Sequence, residues 1–467
     1  MREAQVDGPR RAYFVGFVVV LVSCFTPLKA LSYLLPGLFT LWIVLHGGVR
    51  RNRMLAVLIA IVAGAAVYNL IVREFLIANY LVAAVTYSTI IPIVVIDSRW
   101  LASRALLEKL IAAMAAMILV QGTIGIVQAV YGAVQSGSFS GKNGDHVTGT
   151  IYPHLDAENA FSNPMFAVNM VLMLLVCLSL PGALDARRRR WLIVGAIALV
   201  LASVVHVLVF LVAAVVGAVI FLRARQSAAQ GSATRNRLLV LLVLVAGLTY
   251  VALPEDVANI SNVAETMLDL EDINIPRTIM LGRVLIDLPD EEAAQPYVGL
   301  GPGQFSSRAS LIMSGAYLGG EDAPKSLPLI APRMTRLTSD YCVALLVAAR
   351  ESSEDFGSSQ QPFFSWLDIY TETGLLGMVI VFGSIARLLL RIRAQARTRP
   401  EVRIEALLCT AGILFLVLIG WQADYWEVPQ AVLVGVLALK VLYANVMYPP
   451  DDHAAVKPRS MQSRSGE

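Results

Sequence analysis

Long apolar runs separated by short polar stretches follow one another along most of this chain. A membrane-spanning helix needs about 20 predominantly apolar residues. Such runs lie near residues 12–28, 30–46, 54–72, 75–96, 110–134, 164–181, 238–253, 374–390, 404–421 and 428–447. A further run, 191–222, is too long for one ordinary helix, and Ser203 and His206 near its middle indicate a turn between two spans. The pattern predicts an all-α polytopic membrane protein with about twelve transmembrane helices.

One polar segment, residues 254–362, interrupts this pattern. It carries 16 acidic and 7 basic side chains, a net charge of −9, which argues against a nucleic-acid surface or a polybasic membrane patch. Apolar residues recur at helical spacing in VAETMLDL, RTIMLGRVLIDL and TSDYCVALLVAAR, and this spacing predicts short helices. The glycines and proline of YVGLGPGQF predict a tight backbone turn between them.

Composition and charge fix the expected orientation. The chain is 57% hydrophobic and 15% charged, with a mean hydropathy of +0.67. If the run 191–222 is a hairpin, 26 of the 37 Lys and Arg residues lie on the same side as both termini. A single span there would move the arginines between residues 387 and 403 to the opposite side, against the positive-inside rule. We therefore expect a protein of the bacterial inner membrane, with both termini in the cytoplasm and the polar segment in the periplasm.

These boundaries divide the chain into four parts. Spans one to nine occupy residues 1–253, a helical loop or lid occupies 254–373, spans ten to twelve occupy 374–447, and a cytoplasmic tail occupies 448–467. The large outer loop therefore lies between the ninth and tenth spans. The four cysteines have neither disulfide nor zinc-ligand spacing, so we expect no disulfide, metal or cofactor.

The arginines of the polar segment are candidates for binding an anionic substrate. An arginine side chain presents a planar fork of donors that suits phosphate and pyrophosphate without a metal. Arg277 and Arg283 lie six residues apart in one predicted helix, although at that spacing they need not share a face. The alternative is that most arginines of the segment, Arg308 among them, simply pair with neighbouring acids such as Asp272, Asp287 or Glu354.

Asp368 and Glu372 stand four residues apart at the predicted start of the tenth span, hence on one helix face at the membrane boundary. Either they only complement the helix dipole, or one of them acts as a base or orienting group beside a substrate pocket. His154 lies in the outer loop between the fifth and sixth spans among polar and acidic neighbours. A lone histidine at a helix end is more often a satisfied polar residue than a catalyst.

Three of these stretches, IPRTIMLGRVLIDL, YVGLGPGQF and PFFSWLDIYTETGLLG, occur in that order. Together they resemble the superfamily of lipid-linked polysaccharide polymerases and O-antigen ligases. Its members show an arginine-bearing helix, a GvGpGxF turn and a PHNxxLxxxxExGxxG sequence that leads into a late span. Arg277 matches the family's arginine position, and Glu372 matches its span entry. Phe363 and Phe364 stand where the family has its histidine and asparagine. That histidine is essential in the ligases, so the departure favours a polymerase.

The resemblance implies a GT-C-type glycosyltransferase that joins repeat oligosaccharides linked to undecaprenyl pyrophosphate, without a metal and with inversion at the sugar C1. The expected catalytic residues are Arg277, Asp368 and Glu372. The expected substrate-binding residues are Arg283, Arg308, His154, Gly299, Gly301 and Gly303. Membrane lipids, a chain-length regulator and a flippase are the expected partners, and nucleic acid is not.

Three other functions remain open. A ligase would move the polymer onto lipid A core. A transporter would move the lipid-linked sugar, but transporters tend to bury paired charges at the membrane midplane, and these spans are almost free of charge. A scaffold or polymer-length partner would not depend on the arginines of the polar segment.

Overall fold

The computed structural model describes residues 2–46, 63–64, 67–71, 75–137, 146–153, 162–222, 276–316, 327, 331–351 and 362–448. Within these ranges all of the secondary-structure elements are helices and none is a β-strand, which confirms the all-α fold class. The principal helices are α1 (Arg2–Cys24), α2 (Leu35–Leu45), α3 (Ile77–Val95), α4 (Arg104–Ser136), α5 (Ser162–Leu178), α6 (Ala186–Ala202), α7 (Val204–Leu222), α8 (Pro276–Gly282), α9 (Arg308–Ser314), α10 (Ala344–Glu351), α11 (Ser365–Thr398), α12 (Arg403–Gln422) and α13 (Pro429–Met447). Shorter helical turns include Arg283–Asp287, Leu288–Glu291, Gln295–Val298, Thr338–Val343 and Tyr425–Glu427.

Several helices have the length and composition of membrane spans. Among the described residues, five helices qualify singly, namely α3, α4, α11, α12 with the turn before it, and α13. The bent pair of α6 and α7 qualifies together. The expected spans near 30–46 and 164–181 coincide with shorter apolar helices. Those near 54–72 and 238–253 lie mostly or wholly outside the described residues. A helical membrane protein is thus supported, whereas the count of twelve spans remains a prediction.

The apolar run 191–222 breaks at the predicted place. Ser203 is extended (φ −164°, ψ 103°) between α6 and α7, and the two helices are bent by 116° there, less than the full reversal of an antiparallel hairpin. The Asn163 side-chain amide donates to the Ala202 carbonyl at 2.9 Å, and the Ser203 hydroxyl lies 2.8 Å from Nδ1 of His206. Side chains therefore satisfy polar groups that the interrupted helix leaves open.

Helix α13 lies at the centre of the bundle and α11 at its edge. In the most apolar stretch of each helix, the protein buries 83% of the α13 residues and 6% of the α11 residues. The Tyr13 hydroxyl of α1 donates to the Leu437 carbonyl at 2.9 Å, and a Cβ on Gly435 would stand 2.2 Å from Leu172 of α5. Close packing against α1 and α5 therefore holds α13 in place, and with it the end of the short segment, residues 423–428, that joins α12 to α13.

The described part of the polar segment folds around a small core of its own. Met280, Phe305, Cys342 and Phe364 are among its buried members. Of the three predicted helices, those in RTIMLGRVLIDL and TSDYCVALLVAAR are present, and VAETMLDL lies outside the described residues. YVGLGPGQF forms the expected turn, because all three of its glycines have positive φ. This folded segment sits over the beginning of α11.

Candidate functional site

The glycine turn packs main chain against main chain at the start of α11. The amides of Leu300 and Gly301 each donate to a carbonyl of α11, those of Thr371 and Glu372, at 2.9 Å. A Cβ on Gly299 would stand 2.2 Å from the carbonyl carbon of Glu372, so the two backbones approach as closely as glycine permits. The predicted role of the turn glycines in substrate binding stays a prediction, and their observed partners are the protein's own main chain.

Glu372 holds this turn with its side chain as well. It is 1% exposed, and its carboxylate accepts hydrogen bonds from the amides of Gly303, at 2.8 Å, and Ser307, at 3.3 Å. Backbone amides around a carboxylate stabilise its charge. Of the two acids predicted at the span entry, Glu372 is thus the one whose oxygens are committed to the turn.

Asp368 lies one helical turn earlier and is completely buried. Its Oδ1 accepts a hydrogen bond from the Ser306 hydroxyl at 2.7 Å, and that hydroxyl also lies 2.8 Å from the hydroxyl of Thr371. Oδ2 has no hydrogen-bond donor among the described residues. The spacing of Asp368 and Glu372 puts both on the face of α11 that meets the polar segment, as the sequence predicts.

The connector between α12 and α13, residues 423–428, supplies two acids that sequence reasoning did not single out. Asp424 receives a bidentate ion pair from Arg308, with Nε to Oδ2 at 2.7 Å and Nη2 to Oδ1 at 2.6 Å. Glu427 is fully buried and accepts from the Arg308 amide at 2.9 Å and from the Tyr87 hydroxyl at 3.2 Å. Arg308 therefore pairs with a neighbouring acid, the alternative considered for most arginines of the segment.

We call Arg308, Asp368, Glu372, Asp424 and Glu427 the junction cluster. This set contains four carboxyl groups and one arginine, which pairs with Asp424. Its members are largely buried from water. Burial first, and then the charges of Glu372 and Asp424, raise the pKa of Glu427 to about 8. A hydrogen bond with Asp368 and the charge of Arg308 act in the opposite direction. At neutral pH these effects favour one proton on the carboxyl groups around Glu427.

Arg277 stands beside this cluster at the start of α8 and is 4% exposed. Its Nη2 donates to the main-chain carbonyls of Trp421 and Gln422. The guanidinium lies 4.4 Å from the ring centre of Phe364 and 5.5 Å from that of Trp421. These four groups, two main-chain carbonyls and two aromatic rings, carry no formal charge. Burial lowers the pKa of Arg277 to about 10, so the side chain remains a cation at neutral pH.

Phe363 and Phe364, the two residues that differ from the resembled motif, are both buried just before the start of α11. Phe363 is buried in the small core of the polar segment, and the Phe364 ring lies against both Trp421, at 4.9 Å between ring centres, and Arg277. The next residue, Ser365, donates through its hydroxyl to the Ala423 carbonyl at 3.2 Å. Aromatic and main-chain contacts thus join the start of α11 to the connector.

The remaining predicted residues lie elsewhere. Arg283 points away from Arg277 and donates to the Tyr341 carbonyl at 3.0 Å. Helical spacing explains the separation, because residues six apart face different sides. His154 lies outside the described residues. Within the described ranges no three His, Cys, Asp or Glu side chains are arranged to hold a metal.

The missed residues carried only weak sequence signals. Asp424 and Glu427 are two acids in the short polar link WQADYWEV between apolar runs, and Tyr87 lies in TYST, four hydroxyl residues inside an apolar run. Polar residues inside a span are a reason to suspect a site. Nothing in the sequence places these segments beside α9 and α11.

The assembled site combines a buried arginine, held by main-chain carbonyls and aromatic rings, with a compact group of carboxyl groups. It can bind an anionic group at Arg277 and accept or hold a proton at the carboxyls. The chain matches no protein-family model and no curated protein.

Proposed function

We propose that the protein is a membrane glycosyltransferase that polymerises repeat oligosaccharides carried on undecaprenyl pyrophosphate. In this proposal it has twelve spans in a bacterial inner membrane, with both termini in the cytoplasm and the polar segment in the periplasm. A flippase would supply the repeat units, and a chain-length regulator would act on the product. The observation that carries the proposal is the buried position of Arg277, whose main-chain and aromatic contacts lie next to the chain segments that bear Asp368 and Asp424.

The leaving group explains the need for a buried arginine. When the bond between the sugar C1 and the pyrophosphate oxygen breaks, the electron pair stays on the lipid pyrophosphate and its negative charge grows. A guanidinium in a low-dielectric site stabilises such charge strongly. Arg277 keeps its charge, and its main-chain and ring contacts carry no formal charge that would oppose an anion. We assign it to the pyrophosphate, as the motif resemblance also implies.

The acceptor sugar needs the opposite chemistry. Its attacking hydroxyl must lose a proton as the new bond to C1 forms, and attack from the face opposite the pyrophosphate inverts that centre. A carboxyl of the junction cluster can take the proton. Both oxygens of Glu372 are held by backbone amides, which favours Asp368 or Glu427 for this role.

Lipid-linked saccharide profiles of Arg277 variants test the proposal. Arg277→Ala removes the cation and Arg277→Lys keeps it, with Arg336→Ala as the matched control, because Arg336 is 65% exposed in its ion pair with Glu291. The alanine variant should make no polymer and accumulate single repeat units on the lipid, at normal protein level and melting temperature. The lysine variant should retain part of the activity, since it keeps the charge but loses the fork of donors.

The same profile separates the alternatives. Polymer of normal length and amount from a folded Arg277→Ala variant would refute the assignment. Accumulation of long polymer on the lipid, with none on lipid A core, would identify a ligase. Loss of repeat units from the outer face would identify a transporter.

A further inference from the structure

Two carboxyl groups from distant parts of the chain meet inside the junction cluster. Asp368 and Glu427 are both 0% exposed, and one short stretch of chain binds both, because the Ser306 hydroxyl donates to Asp368 and the Arg308 amide donates to Glu427. The hydrogen bond with Asp368 that lowers the pKa of Glu427 agrees with this proximity. Ionised carboxylates offer only acceptors. Contact between two of them therefore requires a proton, because like charges in a buried site cannot both stay ionised.

We infer that Asp368 and Glu427 share one proton, and that the Tyr87 hydroxyl passes the proton of the attacking sugar hydroxyl to this pair. The relay rests on the proposed function, whereas the shared proton does not. Neither Tyr87 nor Glu427 has any counterpart in the motifs that suggested the function.

The hydrogen bonds show which oxygen carries the shared proton. Glu427 already receives two donors, the Tyr87 hydroxyl and the Arg308 amide. Asp368 receives one donor at Oδ1, and its Oδ2 has none among the described residues. A buried carboxyl oxygen without a donor is costly unless it is protonated. The proton therefore belongs on Oδ2 of Asp368, which then donates to Glu427.

The other charged and titratable groups that face the pair do not replace that proton. On α11, Glu372 is held by two amides. In the connector, Asp424 is held by Arg308 of α9. From the turn Thr338–Val343, Cys342 faces Asp368, and burial followed by the charges of Asp368 and Glu372 raises its pKa, so the thiol stays neutral. The arginine of the cluster thus already has its own carboxylate partner.

Tyr87 connects this closed pair to its surroundings. It is partly exposed, while Asp368 and Glu427 are fully buried. It lies in a short 3₁₀ turn, Tyr87–Thr89, inside α3, and turns of this kind within a longer helix often mark functional positions. Its hydroxyl donates to Oε1 of Glu427, the direction that a relay toward the pair requires.

The proton balance of the step is simple. The pair starts with one proton and a net charge of −1. As the acceptor oxygen bonds to the sugar C1, its proton moves to the Tyr87 oxygen, and the Tyr87 proton moves to Glu427. The lipid pyrophosphate leaves with the electron pair of the broken C1–O bond. The pair is then neutral and returns its extra proton to water before the next cycle.

Infrared spectroscopy of the purified full-length protein tests the shared proton without any substrate. Wild type at neutral pH should show the carbonyl stretch of a protonated carboxylic acid in a site protected from water. Asp368→Asn should remove that band, because the proton is on Oδ2 of Asp368, and Glu427→Gln should shift it, because the acid then no longer donates to a carboxylate. Asp340→Asn is the control, since Asp340 is 49% exposed opposite Arg336. A missing wild-type band, or a band that both substitutions leave unchanged, would overturn the shared proton.

Polymerisation assays with lipid-linked repeat units test the relay. Tyr87→Phe should lower the rate about 100-fold, in the range of general-base catalysis, with little change in KM. Tyr131→Phe is the matched control, because Tyr131 is also partly exposed and its hydroxyl accepts from Gln135, away from the junction cluster.

The wild-type rate should fall on acidification as the pair takes up a second proton, and Glu427→Gln should remove that dependence. Full activity in Tyr87→Phe would overturn the relay. A wild type that makes no polymer would instead refute the proposed function and leave the spectroscopic result standing.

Discussion

Adding one methyl group at Gly374 should disrupt the joint between the polar segment and α11. Gly374 has φ 65° and ψ −170°, and Gly299 opposite has φ 73° and ψ −178°. Both lie in a region of backbone conformation that is essentially restricted to glycine. A Cβ on Gly374 would stand 2.4 Å from the carbonyl carbon and oxygen of Tyr297. Since those atoms are main chain, no side-chain rotation relieves the clash.

The expected cost of Gly374→Ala has two parts. The unfavourable backbone conformation costs about 1–3 kcal/mol, and forcing the packed backbones apart costs about 1–3 kcal/mol. The sum is about 2–6 kcal/mol, and at about 2 °C per kcal/mol the melting temperature falls by about 4–12 °C. Because the amides of this turn also hold Glu372, the proposed polymerisation should be lost at temperatures where the rest of the protein remains folded.

Thermal unfolding of the protein in detergent measures this effect. Gly383→Ala on the same helix is the control, since a Cβ there meets nothing within 4 Å. It should be neutral or stabilise by up to about 1 kcal/mol, because alanine favours the helix over glycine. If Gly374→Ala and Gly383→Ala melt at the same temperature, the close packing of the two segments does not contribute to stability as argued.

Three further predictions concern the junction cluster and the bundle. Asp424→Asn removes the charge opposite Arg308 and should cost about 3 kcal/mol, so a melting temperature equal to that of wild type would contradict the ion pair's role. The pKa of Glu427 is raised from its ordinary 4.5 to about 8, so the folded state holds the proton that Glu427 shares with Asp368 more tightly than the unfolded state holds it. Stability should therefore fall as pH rises between about 4.5 and 8, by up to about 5 kcal/mol through this group, and an unchanged pH dependence of unfolding in Glu427→Gln would disprove that source. Gly122→Val should cost about 1–3 kcal/mol, because a Cβ on Gly122 would already stand 3.1 Å from Cα of Gly195 where α4 meets α6. A melting temperature at or above that of wild type would show that the two helices separate at no cost.

The predicted elements that proved right depend on local sequence. The helix containing Arg277, the helix around Cys342, the glycine turn and the break at Ser203 each follow from spacing or residue type within a short stretch. Asp368 and Glu372 share a helix face because residues four apart do so in any α-helix. Such features need no knowledge of the remainder of the chain.

The partners of the candidate site could not be predicted in the same way. Tyr87 and Glu427 are 340 residues apart, and Arg308 and Asp424 are 116 apart. Arg283 donates to the Tyr341 carbonyl, 58 residues further along the chain. Contacts across such distances depend on which helices pack together, and apolar spans of similar composition give no signal of their neighbours.

By itself the sequence determined that this is a helical protein rich in apolar segments, with one polar segment that folds and a short series of motifs that bear arginine, glycine and acid. Periodicity and side-chain chemistry act over a few residues, and this is why they can be read directly. Only the tertiary structure decided that Arg277 sits in a cradle of carbonyls and aromatic rings, that Arg308 belongs to Asp424, and that Asp368 meets Glu427 beside Tyr87. The physical reason is that burial and the convergence of charges arise from packing of distant segments, and packing selects one arrangement from many that the same local patterns allow.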